Sequence, residues 1–315
     1  MRRVIPSIAL ALLAVPSVAH AVDVPTKVFI NGIPTPVFFN DGDSFRVLGG
    51  ANTGLKTRLA GFNTLESYGP VHHWDGWTAH ELYVIAKMAT LNARRGIWHC
   101  TTDFKTDTYG RALMFCPDLA IDQVRRGFAH AMSVDENPAD ARYIEAQKKA
   151  IEEKRGMWAH GVPAYVLTSL HSVSEGGGYN GKTYNRLVSS VDGHSAKWLH
   201  ENSYDECQDV CAMERVVSPE VIEAAVETLR NDTEMADVVA QLPKSQLTQI
   251  VSDFSQLGWF RGVKDEAIAK RITDRLTAMD AEGKLGDGER KPGACVVYVD
   301  FERRYGAGQA SCLRK

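Results

Sequence analysis

Cys100, Cys116, Cys207, Cys211, Cys295 and Cys312 set the firmest limit on how this chain folds, because of what stands at its start. Arg2 and Arg3 precede an apolar run from Ile8 to Val15 and the small-residue pattern Ala19-His20-Ala21, which reads as an export signal cleaved after Ala21. Export takes the chain to an oxidising compartment, periplasmic or fully secreted, where paired cysteines become disulfides rather than free thiols or thiolate metal sites. Cys100 and Cys116 flank a predicted hairpin and are natural cross-strand partners. Cys207 and Cys211 are spaced so that a helix would seldom let them reach each other, so bridges are expected to Cys295 and Cys312, with the pairing open. A zinc site of His194, His200, Cys207 and Cys211 matches no familiar ligand spacing. The leader is too short to span a bilayer, and no later run reaches about 18 apolar residues, so no membrane insertion is expected.

A chain of 315 residues suffices for two domains, and 44% hydrophobic with 24% charged residues excludes disordered and collagen-like classes. Val-, Ile-, Phe- and Thr-rich stretches predict short strands over 26–39, 44–48 and 56–61. Apolar spacing then predicts a helix over 77–91, strands at 97–101 and 112–116, and helices over 120–127 and 139–155. That order fits an α+β domain over 22–165, a small barrel with packed helices. After Ala164 the texture turns to Ser, His and Gly around Gly176-Gly177-Gly178, which predicts a linker or irregular segment over 166–217. Ser218-Pro219 opens a mainly helical, disulfide-linked unit over 218–315, with a closing strand at 295–301.

Four short stretches carry chemistry: Asp41-Gly42-Asp43-Ser44, Arg58 to Glu66, Asp107-Thr108-Tyr109-Gly110-Arg111, and Lys154 to Trp158. Each alone reads as a turn or a surface charge. Together they supply what phosphodiester cleavage needs, namely carboxylates for a cation and for activating water, and planar guanidinium forks for phosphate oxygens. Arg58 and Glu66 converge only if the turn between them folds back.

The order and spacing of these stretches resemble the thermonuclease (staphylococcal nuclease-like) family from about Val28 to Trp158. The resemblance implies an OB-type five-stranded barrel with packed helices, a bound Ca2+, and hydrolysis of DNA and RNA to 3′-phosphate products. Carried onto matching positions, it implies Asp43 as a calcium ligand, Thr64 as a ligand through its carbonyl, and Glu66 as general base. Arg58 and Arg111 become phosphate clamps, and Tyr109 a contact to the nucleotide's phosphate or sugar. Asn63 stands where the family has an acidic metal ligand and Leu65 where it has proline. An amide oxygen still ligates calcium, with one less charge, so weaker binding or another divalent metal is expected. Ser133 and Asp135 fall where family members carry tyrosines.

The loop Ser67 to Trp77 follows Glu66 directly. In the mapped fold His72 or His73 would add a metal ligand or proton donor, and Trp74 or Trp77 would stack a base; a loop simply packed by its tryptophans is the plainer alternative. Basic and acidic residues nearly cancel over the first half, a weak footprint for a nucleic-acid binder. The expectation is therefore an exported metal-dependent nuclease acting on DNA or RNA, with its chemistry in the first half alone. The alternative is a catalytically silent barrel that binds nucleic acid or an envelope partner.

Overall fold

The computed structural model describes residues 27–68, 71–176, 182–304 and 307–313, so the expected export signal lies outside the described residues. The first half opens with β1 (Lys27–Ile30), β2 (Ile33–Thr35), β3 (Val37–Phe39), β4 (Phe45–Val47), β5 (Thr57–Leu59), β6 (Phe62–Thr64) and β7 (Val71–His73). Helix α1 (Ala79–Ala93), β8 (Ile97–Cys100), β9 (Ala112–Met114), α2 (Pro117–Arg125), β10 (Ala129–Ala131) and α3 (Ala141–Glu152) follow. A capping box starts α1: Thr78 Oγ1 accepts from the Glu81 amide at 3.3 Å, and the Glu81 carboxylate accepts from the Thr78 amide at 3.0 Å. Leu82, Ala86, Ala89 and Ala93 give that helix its buried face.

The strands pair in several small sheets, making a mixed α+β fold. β3 pairs with β4, β5 with β9, β9 with β8 through the bridge Thr101↔Phe115, and β8 with β1, which pairs with β2. A further bridge, Arg46↔Lys56, ties the end of β4 to the start of β5. β6 pairs separately with β10. Val28, Phe39, Phe45, Leu59, Phe62, Met114 and Leu119 pack in one core cluster of this half.

The segment 166–217 is not an irregular linker. It carries β11 (Tyr165–Ser169), β12 (Thr183–Ser189), β13 (Ser195–His200) and β14 (Asp209–Glu214). β12 and β13 run antiparallel in register from Thr183↔His200 to Val188↔Ser195. Their Ser- and His-rich composition reads as loop because many of these polar side chains are buried and bonded rather than solvated. Gly177 and Gly178, from the expected boundary, lie outside the described residues. Helices α4 (Pro219–Arg230), α5 (Ala236–Val239), α6 (Lys244–Leu257) and α7 (Glu266–Ala281) then pack around Val226, Leu229, Leu247, Ile250, Ile272 and Leu276. The closing strand β15 (Lys291–Val297) begins earlier than expected.

One core joins the halves. Leu65, Trp74, Leu82 and Trp158 from the first pack in a single cluster with Leu167, Leu187, Val210 and Val296 from the second. β15 inserts between β14 and β7, so the end of the chain forms a sheet with the strand that follows Glu66. The bridges are Cys100–Cys116, Cys207–Cys312 and Cys211–Cys295, which resolves the open pairing and accords with an oxidising compartment. Among the described residues no helix is long and apolar enough to cross a membrane.

His194 sits in this second half as a buried cation, not a metal ligand. Its Nδ1 lies 2.5 Å from Asp192 and its Nε2 2.9 Å from Asp253, which also accepts from the Tyr165 hydroxyl. Burial lowers its proton affinity, but the hydrogen bonds and charges of Asp192 and Asp253 overcome that and hold its pKa up at about 10. A raised histidine pKa stabilises the fold fully below the unfolded value of about 6.5 and loses that contribution as pH rises through the folded value. Thermal melts from neutral pH to pH 10 are expected to fall more steeply for the wild type than for His194→Gln, and parallel curves would contradict the assignment.

Candidate active site

Two turns bring the motif residues together. The first, between β3 and β4, carries Asp41 and Asp43. A Cβ at Gly42 would stand 2.5 Å from Thr64 Cγ2 and 2.8 Å from Ala89 Cβ, so only glycine lets this turn press against β6. The second joins β5 to β6 through Gly61, at φ +93°, where a Cβ would meet the Tyr143 ring at 2.5 Å. That reversal is the fold-back that Arg58 and Glu66 require.

Asp43 is buried, and its two carboxylate oxygens have different partners. Oδ2 accepts from the Thr64 amide at 2.7 Å and the Thr64 hydroxyl at 3.1 Å. Oδ1 accepts from the Arg58 guanidinium, whose other terminal nitrogen donates to Asn63 Oδ1. Arg58 points away from the core because Thr57 and Leu59, its neighbours on β5, take the buried face. Asn63 Nδ2 donates to the Thr64 carbonyl at 2.9 Å. Behind it, His130 Nδ1 donates to the Ala131 carbonyl at 3.1 Å, leaving Nε2 to accept from the Asn63 amide at 3.4 Å. Burial drops the His130 pKa to about 4, which keeps that ring neutral.

Glu66 is half-buried just beyond β6. Burial and then the Asp43 charge raise its proton affinity, against the opposing charges of Arg304, Arg58 and Arg111. Asp41, passed over in the sequence except as part of its turn, joins the cluster: burial, then Asp43 and Glu66, lift its pKa to about 7, while Ser44 Oγ donates to it at 2.7 Å. Crowded carboxylates of this kind are the oxygen donors that a hard divalent cation takes. Of the expected ligands, Asp43 accepts from Arg58 and Thr64, the Thr64 carbonyl accepts from Asn63, and Asn63 accepts from Arg58, so a cation here would have to displace these bonds.

Arg111 approaches from the turn after β8. Its Nε donates to Asp107 Oδ2 at 2.7 Å and its amide to Asp107 Oδ1 at 2.9 Å, so Asp107 both shapes the turn and aims the arginine. Tyr109 is 70% exposed, with the Arg111 guanidinium 5.5 Å from its ring centre.

The loop after Glu66 divides by strand alternation. His72 turns inward to a hollow of about 50 Å3 lined also by Glu66, Thr168, His171, Val296 and Arg304. Its ring has no side-chain hydrogen-bond partner and sits against the Leu167 backbone, and burial, followed by His130 and His73, drops its pKa to about 3. His73 faces the other way, with Nε2 2.7 Å from Asp209. Cys295 lies beside this pair, but its sulfur is committed to Cys211, so the three are not a metal site. Trp74 is 2% exposed inside the shared core, and Trp77 donates its indole N–H to the Met157 carbonyl at 2.8 Å. A tryptophan sealed in the core has no face for a base, so the stacking role expected of Trp74 is withdrawn and the packed loop stands.

The residue that sequence reasoning missed is Arg304. It lies far along the chain, in a short 3-10 turn at 301–304, and no motif marks it. A larger hollow, about 290 Å3, lies among α4, α5 and α6 beside Arg230, Leu242 and Lys244, without carboxylate or histidine. No protein-family model and no curated protein matches the chain.

Proposed function

We propose that the chain is an exported, metal-dependent phosphodiesterase of the thermonuclease type that hydrolyses DNA, RNA or both and leaves 3′-phosphate ends. One observation carries the reading: Asp41, Asp43, Arg58, Glu66 and Arg111, drawn from three separate stretches, share one electrostatic neighbourhood centred on Glu66. A carboxyl whose proton affinity is raised toward neutrality suits a general base, which must take a proton from water and later release it. Arg58 and Arg111 offer guanidinium forks to the phosphate oxygens, and Tyr109 stands exposed at the rim. A divalent cation, Ca2+ in the first instance, would be held by Asp41, Asp43 and Thr64 and would supply positive charge against the phosphate. The closed OB-type barrel belongs to the same reading. The ladder from β3 through β4, β5, β9, β8 and β1 to β2 ends one residue, Pro36, from where it began, which supports closure.

A second reading, a silent binding module, is favoured by one feature: Arg58 already closes on Asp43 and Asn63, two oxygens expected to face the metal. Cleavage of single- and double-stranded DNA and of RNA by the mature protein, with Ca2+, Mg2+, Mn2+ or chelator, decides between them. Cutting is expected with a divalent metal and not with chelator, and Arg111→Ala is expected to lose about 10²- to 10³-fold in kcat. Folded, disulfide-bonded protein that cuts nothing under any metal would favour the silent module.

A further inference from the structure

The end of the chain is built into the proposed site. β15 pairs with β7 so that Val296 lies opposite His72, and the 3-10 turn that follows carries Arg304 into the hollow with Glu66. The turn is anchored on every side. Arg304 Nε donates to the Val299 carbonyl at 3.2 Å, and its own carbonyl accepts from Gln309 at 3.3 Å. Arg303 pairs with Glu206 at 2.7 Å. Cys207–Cys312 and Cys211–Cys295 clamp this region to the segment around β14. A guanidinium held this firmly beside a half-buried carboxylate is placed for a ligand that both groups can address.

The hollow's other lining narrows the ligand. His72 is buried, and only the Leu167 backbone offers its ring a hydrogen bond, so one ring nitrogen is left to be satisfied beside the hollow. His171, Thr168 and Ser169 add polar groups to a lining that Leu170 and Val296 share. A space of about 50 Å3 is of a size for a few oxygen atoms and not for a nucleobase. The group that carries several oxygens, takes an arginine fork and must lie next to the base is the phosphate that is cleaved.

We infer that Arg304 is a third phosphate-contacting residue of this site, delivered by the C-terminal segment, so that the second half of the chain completes the site rather than decorating it. The inference rests on the phosphodiesterase reading for its meaning, and its test separates the two. Inorganic phosphate is titrated into the full, oxidised chain and followed through the histidine ring resonances, for wild type, Arg304→Ala, Arg304→Lys and the exposed control Lys270→Ala on α7; cleavage of DNA is measured in parallel. Arg304→Ala is expected to weaken phosphate binding by about tenfold or more and to lower kcat by roughly 10²-fold, the scale for losing one donor to developing phosphate charge. Arg304→Lys should recover part of both, and Lys270→Ala should match wild type. Phosphate binding that Arg304→Ala leaves unchanged overturns the inference whether or not the chain cuts. Phosphate binding that depends on Arg304 in a chain that cuts nothing upholds the contact and overturns the enzyme reading instead.

Discussion

A chain ended after Ala164 is expected not to fold, although that point looked like a domain edge in the sequence. The cut would strip Leu65, Trp74, Leu82, Ala86, Met157 and Trp158 of the residues they pack against in the second half. It would also remove β15, the ladder partner of β7, and Glu214, which accepts from the amides of Ala164 and Tyr165 at 2.7 and 3.0 Å. Burying one large apolar side chain contributes roughly 1.5 to 3 kcal/mol. Exposing two tryptophans and several aliphatic groups together therefore approaches the roughly 5 to 15 kcal/mol that holds an ordinary domain folded. The fragment 22–164 should show no cooperative thermal transition and should bind a dye that reports exposed apolar surface. A monomeric fragment with a sharp melt would show the shared core to be dispensable, and would restore the expectation that the first half works alone. Cleavage tests therefore belong on the full chain.

Glu66→Gln is expected to cost about 10²- to 10⁴-fold in cleavage, the span of a general base, while leaving the fold at least as stable as before. The stability side follows from the sign of its shift. A carboxyl whose folded pKa stands above its unfolded one favours the native state least once pH has risen through the folded value, because the folded environment then holds a charge that water would hold better. Glutamine removes that charge. The melting temperature of Glu66→Gln should thus exceed the wild type's at neutral pH, with the gap closing as pH falls through the carboxylate range. Lost activity together with an equal or higher melting temperature marks a working base kept at some cost to stability. Lost activity with a large drop in melting temperature would make Glu66 a structural group and remove the main support for hydrolysis.

How much was legible follows from the range of each interaction. The fold-back between Arg58 and Glu66 and the bridge Cys100–Cys116 join residues close in the chain, so their residue types and spacing announce them. The same holds for the constellation around Glu66, because Asp43, Arg58, Asn63 and Thr64 all come from neighbouring turns and strands. The reading of 166–217 as linker failed for a different reason. β12 and β13 bury Asn185 and Ser195, polar groups whose partners His171, Tyr204 and Ser133 lie outside these strands, and no local pattern reveals that they are satisfied. Trp74 looked like a stacking platform because a tryptophan near a site serves either role, and burial is a property of the assembled core.

By itself, the sequence determined most of the local elements outside 166–217, the α+β class, the cysteines that would be bridged and the cluster of acids and arginines carried by the first half. Only the tertiary structure decided that β15 lies against β7, that one core spans both halves, and that Arg304 stands in the same hollow as Glu66. A strand of three residues such as β7 is too short to show a period, and pairing between distant strands is chosen by the burial of the whole rather than by either strand's own residues. The groups nearest the proposed chemistry were thus legible where the backbone brings them together within a turn, and hidden where the fold must close over the full length of the chain to do so.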